Sequence, residues 1–133
     1  MPIHSVSEIF TRERLDMLFP KDRADSFFDA LFGDAGEGSY DISLEFKKQS
    51  EDRLEFEFHL KQRPGKCLVC NLTYGLPAVF SRHPVINVKG LVQEIVCLMD
   101  GHADGSKWQL GSTREISRKL HIIPLTVFAD KHP

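Results

Sequence analysis

The chain has 133 residues, the length of a single domain, 1–133, that can bury a core without staples. With 41% apolar and 27% charged residues it is not a disordered chain, and its longest apolar runs fall short of the ~20 residues a membrane helix needs. A formal charge of −2 argues against a general binder of duplex nucleic acid.

The charge is unevenly spread. Residues 1–57 hold 14 acids and 7 bases, residues 58–133 hold 5 acids and 10 bases, and no acid occurs between Glu57 and Glu94. The opening Met1-Pro2-Ile3-His4-Ser5 leads into acids and arginines with no apolar signal block, so a cytoplasmic location is expected. Three cysteines cannot all pair within one chain, and in a reducing compartment they are expected as free thiols.

In chain order, Arg12 to Phe19 places Leu15, Leu18 and Phe19 on one side of a helix that Pro20 interrupts. A second helix is expected over Asp22 to Phe32, with Phe27, Phe28, Leu31 and Phe32 at helical spacing and Gly33 after it as a natural stop. Two strands follow, Tyr40 to Phe46 and Leu54 to Leu60, each alternating apolar and polar over seven residues, which gives one buried and one wet face. Pairing Phe46 with Leu54 through a short hairpin brings Tyr40, Ile42, Leu44 and Phe46 onto the face of Leu54, Phe56, Phe58 and Leu60. After the Pro64-Gly65 turn, Lys66 to Tyr74 reads as a third strand with Leu68, Cys70, Leu72 and Tyr74 on one parity.

Pro77 opens a short helical turn through Phe80, and Asn87 is the expected N-cap of a helix over Val88 to Met99. Ser112 with Glu115 has the spacing of a capping box and predicts a short helix over 113–120. Ile122 to Phe128 is a last strand, and Pro124, which lacks an N–H, predicts that it lies at a sheet edge. The expected class is therefore α+β: a three-strand meander plus a C-terminal edge strand, mainly antiparallel, helices covering one face, in the order α-β-β-β-α-α-β.

Candidate chemistry is sparse. Cys67 and Cys70 form a C-x-x-C, but in a strand side chains three apart point to opposite faces and stand about 10 Å apart along the backbone. Neither a disulfide nor a shared zinc ion is compatible with that separation. Cys70 then reads as a small core residue, with a thiol-redox or metal-binding pair, Cys67 and Cys70, as the alternative. Cys97, Gly90 and Glu94 share the second face of the 88–99 helix, either as an ordinary half-exposed surface or as a packed interface. Glu55, Glu57, His59 and Lys61 fall on the outer face of the second strand, where they are a solvated row or an acid–base pair. No nucleophile elbow, Walker A loop, dinucleotide fingerprint or zincin motif is present, so no catalytic residue, metal or cofactor is expected.

The blocks "FFDALFGD", "YDISLEF", "RPGKCLVCNLTYGLPAVFSRHPVINVKGLVQEI" and "HIIPLT" resemble a small family of uncharacterised bacterial proteins of about this length. Some members carry a misplaced pancreas/duodenum homeobox name. The resemblance implies no activity and no site residue. The homeobox name does not fit these residues, since a homeodomain is three helices with a basic, tryptophan-bearing recognition helix. Here the middle of the chain reads as strands and the only tryptophan is Trp108.

The functional expectation rests on the acid-free stretch, residues 59–89. Lys61, Arg63, Lys66, Arg82, His83 and Lys89 are the candidate ligand-binding residues of a non-catalytic binding module. The N-terminus of the helix after Asn87 adds a positive dipole end. The expected partner is a protein with an acidic surface or a small anion. A homodimer is a further candidate assembly.

Overall fold

The computed structural model describes residues 9–20, 22–32, 40–50, 53–66, 76–98 and 107–128. The two alternating segments become β1 (Tyr40–Ser50) and β2 (Arg53–Gln62), paired antiparallel. Their apolar parity is buried: Tyr40, Ile42 and Leu44 on β1 and Leu54, Phe56, Phe58 and Leu60 on β2. The register differs from the sequence expectation by two residues, with Phe46 opposite Phe56, Leu44 opposite Phe58 and Ile42 opposite Leu60. A two-residue slip keeps every side chain on its face, so the alternation alone could not detect it. The cause lies near the hairpin. Ser50 pairs with Arg53, and the register breaks between Phe46 and Lys48, a bulge at Lys47. The extra residue lets Lys47 and Lys48 both reach the outer face, where their Nζ atoms lie 3.7 Å from Glu57 and 3.8 Å from Glu55.

Among the described residues four helices precede or follow this pair: α1 (Arg12–Leu18), α2 (Arg23–Phe32), α3 (Leu76–Arg82) and α4 (Val88–Leu98). The Thr11 hydroxyl caps α1 by accepting from the Arg14 N–H at 3.2 Å. Asn87 caps α4 as expected: its φ is +49°, and its Oδ1 accepts from the Gly90 N–H at 3.2 Å. Pro64-Gly65 makes the expected turn, closed by the Lys66 N–H on the Arg63 carbonyl at 3.1 Å, with Gly65 at φ +75°.

The helices cover one sheet face through aromatic rings. Phe19 meets Phe58 edge-on at 5.4 Å, Phe80 meets Phe58 at 5.5 Å, Phe10 meets Phe56 at 5.0 Å and Phe28 meets Tyr40 at 4.8 Å. Edge-to-face pairs add roughly 0.5–1.5 kcal/mol each beyond the area they bury. Val88, Leu91, Val92 and Ile95 supply the buried stripe of α4, at the spacing read from the sequence.

The C-terminal part departs from the sequence expectation. β3 (Trp108–Leu110), β4 (Arg114–Ser117) and β5 (Leu120–Phe128) complete a sheet ordered β1-β2-β5-β3, with β4 also bonded to β5. The antiparallel α+β class stands, but β5 is an interior strand, not an edge. It runs along β2 from Arg53 opposite Phe128 to Lys61 opposite Leu120. With β1 on one side and β5 on the other, β2 has no edge left for a strand at 66–74, so the meander is not the architecture. Residues 67–75 themselves, with Cys67 and Cys70, lie outside the described residues.

Pro124 is tolerated inside the sheet for a local reason. Its carbonyl accepts from the Gly111 N–H at 2.9 Å. In a strand a residue's N and C=O point to the same side, so the missing N–H also faces that side. There β3 has ended at Leu110 and β4 has not begun, and no ladder bond is lost. Gly111 is required at this approach: a Cβ there would come within 2.8 Å of the Pro124 ring.

The helix expected over 113–120 is instead the β4–β5 hairpin, with Arg114 opposite Ile122 and Ser117 opposite Leu120. Only Ile116 and Leu120 are apolar there, too few for a buried helical stripe. The open side of β5 offers backbone partners in its place. Trp108–Leu110 received no element in the sequence reading. It is a three-residue strand whose only signal is its pairing with Leu125–Val127.

Phe58→Ala lowers stability by about 3–5 kcal/mol in a urea series, because the ring is wholly buried among other rings. Lys61→Ala, three residues on and facing outward, changes it by less than ~0.5 kcal/mol. Equal losses would contradict the face assignment. Burial pushes the Tyr40 hydroxyl's pKa well above its ordinary value, only partly offset by the nearby Arg63 charge. The phenol therefore stays neutral in the fold while the unfolded chain ionises above pH ~10. Stability is accordingly lost as pH rises past that point, by at most about 1.4 kcal/mol per unit from this group. Tyr40→Phe flattens the alkaline limb, as read by denaturation at pH 9–11.

Candidate functional site

The bases of the acid-free stretch fall into two groups. Arg63, just past β2, is a structural clamp. Its Nη2 donates to Asp25 of α2 at 2.6 Å, its Nε donates to Asp41 of β1 at 3.0 Å, and its guanidinium stacks over the Phe28 ring at 5.5 Å. Burial alone would lower its pKa, but the bonds to Asp41 and Asp25 outweigh this and hold it above the ordinary value. With its side chain 17% exposed and committed to two carboxylates, Arg63 has little left for a ligand.

His83 is likewise engaged. Its ring stands edge-on to Phe27 at 4.9 Å, and its Nδ1 accepts from the Val85 N–H at 3.2 Å. That bond and the ring contact commit His83 to the turn between α3 and α4. Lys61 faces outward on β2, opposite Asp41, on the sheet face away from the helices. With Asp41, Ile42 and Ser43 it lines a recess of about 280 Å³.

Lys66, Arg82 and Lys89 are exposed, and none has an ion-pair partner among the described residues. Arg82 ends α3 and Lys89 lies in the first turn of α4. The five residues between the two helices, 83–87, are held by His83 N–H on the Val79 carbonyl and Asn87 N–H on the His83 carbonyl, each at 2.8 Å. This ordered corner fixes Arg82 and Lys89 on one helix–turn–helix unit. Arg23 of α2 joins them, with Nη1 donating to the Ile86 carbonyl at 3.4 Å and its guanidinium 5.0 Å from the Phe19 ring. Sequence reasoning missed Arg23 because it sits in the acidic half, and no local pattern announces a contact 63 residues away. Lys66 follows β2 and Lys61 is on the far face, so the six predicted residues do not share one surface.

The outer face is not the wet row expected. Glu57 is 12% exposed and His59 20%, with the His59 Nε2 at 2.9 Å from the Glu57 carboxylate. Arg114 of β4 and Lys47 of the bulge reach the same carboxylate at 3.2 and 3.7 Å. Glu45 stands directly opposite Glu57, an unfavourable like-charge pair that the Arg12 guanidinium offsets by binding both Glu45 oxygens at 2.7 and 2.8 Å. Arg12 also donates to the Leu44 carbonyl at 2.9 Å, covering part of the β1 edge. Glu57 Oε1 lies against His59 and Oε2 against Arg114 and Lys47, so the cluster is an ion network tying β1, β2 and β4 together.

Among the described residues no group of three or more His, Cys, Asp or Glu side chains could hold a metal ion, and no helix is long and apolar enough to cross a membrane. Comparison of the chain with protein-family models, curated proteins and solved structures finds no match.

The division between clamp and free bases is measurable. Arg63→Ala costs about 1–2 kcal/mol, and Arg63→Lys recovers less than half of it, because an ammonium cannot fork between two carboxylates while stacking on a ring. Lys66→Ala, Arg82→Ala and Lys89→Ala each stay within ~0.5 kcal/mol of the parent. Similar losses at all four positions in chemical denaturation would erase the distinction.

Proposed function

We propose that the protein is a non-catalytic binding module for an acidic partner, held through the free bases of residues 61–89 and centred on the corner between α3 and α4. One observation carries this reading. Arg12, Lys47, Lys48, Arg63 and Arg114 all lie against carboxylates, whereas Lys66, Arg82 and Lys89 are exposed without one among the described residues. Unneutralised cations on an ordered corner attract an anion at no cost in broken ion pairs. Lys61 adds to the field from the other sheet face, and Arg63 and His83 act by holding the scaffold.

The partner is a protein with an acidic surface or a small phosphate- or carboxylate-bearing molecule. The overall charge of −2 works against duplex nucleic acid. The test is an NMR titration with inorganic phosphate, a nucleoside triphosphate and a Glu-rich peptide. Saturable shifts at Lys66, Arg82 and Lys89, weakened by salt and abolished in an Arg82→Glu/Lys89→Glu variant, are the expected result. Shifts absent from all three positions with every probe at about millimolar concentration overturn the reading.

A further inference from the structure

Helices α1 and α4 touch on the helical layer, and between them a groove of about 480 Å³ stays open. Arg14, Met17 and Leu18 line it from α1, and Glu94, Cys97 and Leu98 line it from α4. The i, i+3, i+4 spacing on both helices sets the three side chains of each in one strip along the groove. Met17 is 74% exposed, the most exposed large apolar side chain among the described residues. A lone exposed methionine is unremarkable. This one stands on the lip of a mostly apolar groove whose floor includes the buried Leu18.

The charges on the groove indicate what fits it. Arg14 and Glu94 both line it, one from each helix, and neither has an ion-pair partner among the described residues, the other included. A surface built for an acidic partner would present bases alone, whereas this groove presents both signs. A groove with one unpaired cation on one wall and one unpaired anion on the other is complementary to itself under a two-fold rotation, the condition for an isologous contact.

We infer that the α1–α4 groove is a self-association surface, occupied by the same groove of a second copy of this chain. Met17 of each copy enters the other's groove beside the partner's Leu18 and Leu98. Arg14 of each copy pairs with the partner's Glu94. Cys97 lies inside the contact as a small residue that admits close helix approach. Six side chains of each copy line the contact, few beside the roughly 20–30 residues a side of a standard interface, so the dimer is weak, with a dissociation constant of order tens of micromolar. It is distinct from the α3–α4 corner, and its failure leaves the binding reading untouched.

Sedimentation velocity on the reduced protein, from about 5 to 500 μM, shows a concentration-dependent shift from monomer to dimer. Met17→Glu, at an exposed position that leaves the circular dichroism unchanged, abolishes the shift. Arg14→Glu and Glu94→Arg each weaken the dimer about tenfold or more, and the double exchange restores it to within about threefold. The charge exchange, at two exposed positions, decides the matter even if Met17→Glu perturbs the fold. A chain that stays monomeric throughout overturns the inference. So does a dimer indifferent to Met17→Glu, or one that the double exchange fails to restore.

Discussion

Strand β2 has no free edge and no idle face, and the rest of the molecule is arranged around that. Its inner row, Leu54, Phe56, Phe58 and Leu60, is wholly buried. Phe58 alone meets rings from two different helical segments, Phe19 and Phe80. Its outer row carries Glu55, Glu57 and His59, and Glu57 gathers Lys47, His59 and Arg114 around one carboxylate. The two sides hold by different physics. Ring burial supplies most of the stability on the helical side. The outer ion network is partly solvated, contributes less, and specifies which strands meet.

The candidate binding corner follows from this arrangement. Phe80 anchors α3 on Phe58, and the buried stripe of α4 packs into the same core, so the turn between them is pinned at both ends. His83 and Asn87 complete that turn with their own side chains. The exposed bases Arg82 and Lys89 are thus displayed on a hydrogen-bonded helix–turn–helix unit, while Arg63, another base of the same charge run, is consumed in fastening α2 to β1. A cluster of like charges in sequence is a poor guide to a site until the carboxylates that answer each charge are known.

How far the sequence was legible follows the range of the interactions. The alternation of β1 and β2, the stripe of α4, the Asn87 cap and the Pro64-Gly65 turn are local patterns, and each appears where it was read. The two-residue register error went unseen because parity survives it. Pro124 misled because the rule about missing donors concerns the side its nitrogen faces, and only the break between Leu110 and Arg114 shows that this side is open. The capping-box pattern at Ser112 and Glu115 is real as a pattern, but backbone pairing with β5 outweighed it. Of the candidate site, the exposed bases were legible by type, whereas the clamp role of Arg63 and the presence of Arg23 depend on residues far along the chain.

The decisive structural claim is that β5, not the segment after Pro64-Gly65, lies beside β2. Glu57 and Pro124 face each other as a non-hydrogen-bonded pair in the β2–β5 ladder. In such a pair the two Hα atoms are close, so a strong nuclear Overhauser contact between Glu57 Hα and Pro124 Hα in labelled protein is the result this arrangement predicts. Its absence, with Hα contacts from β2 to residues 67–74 in its place, would restore the meander and contradict the account.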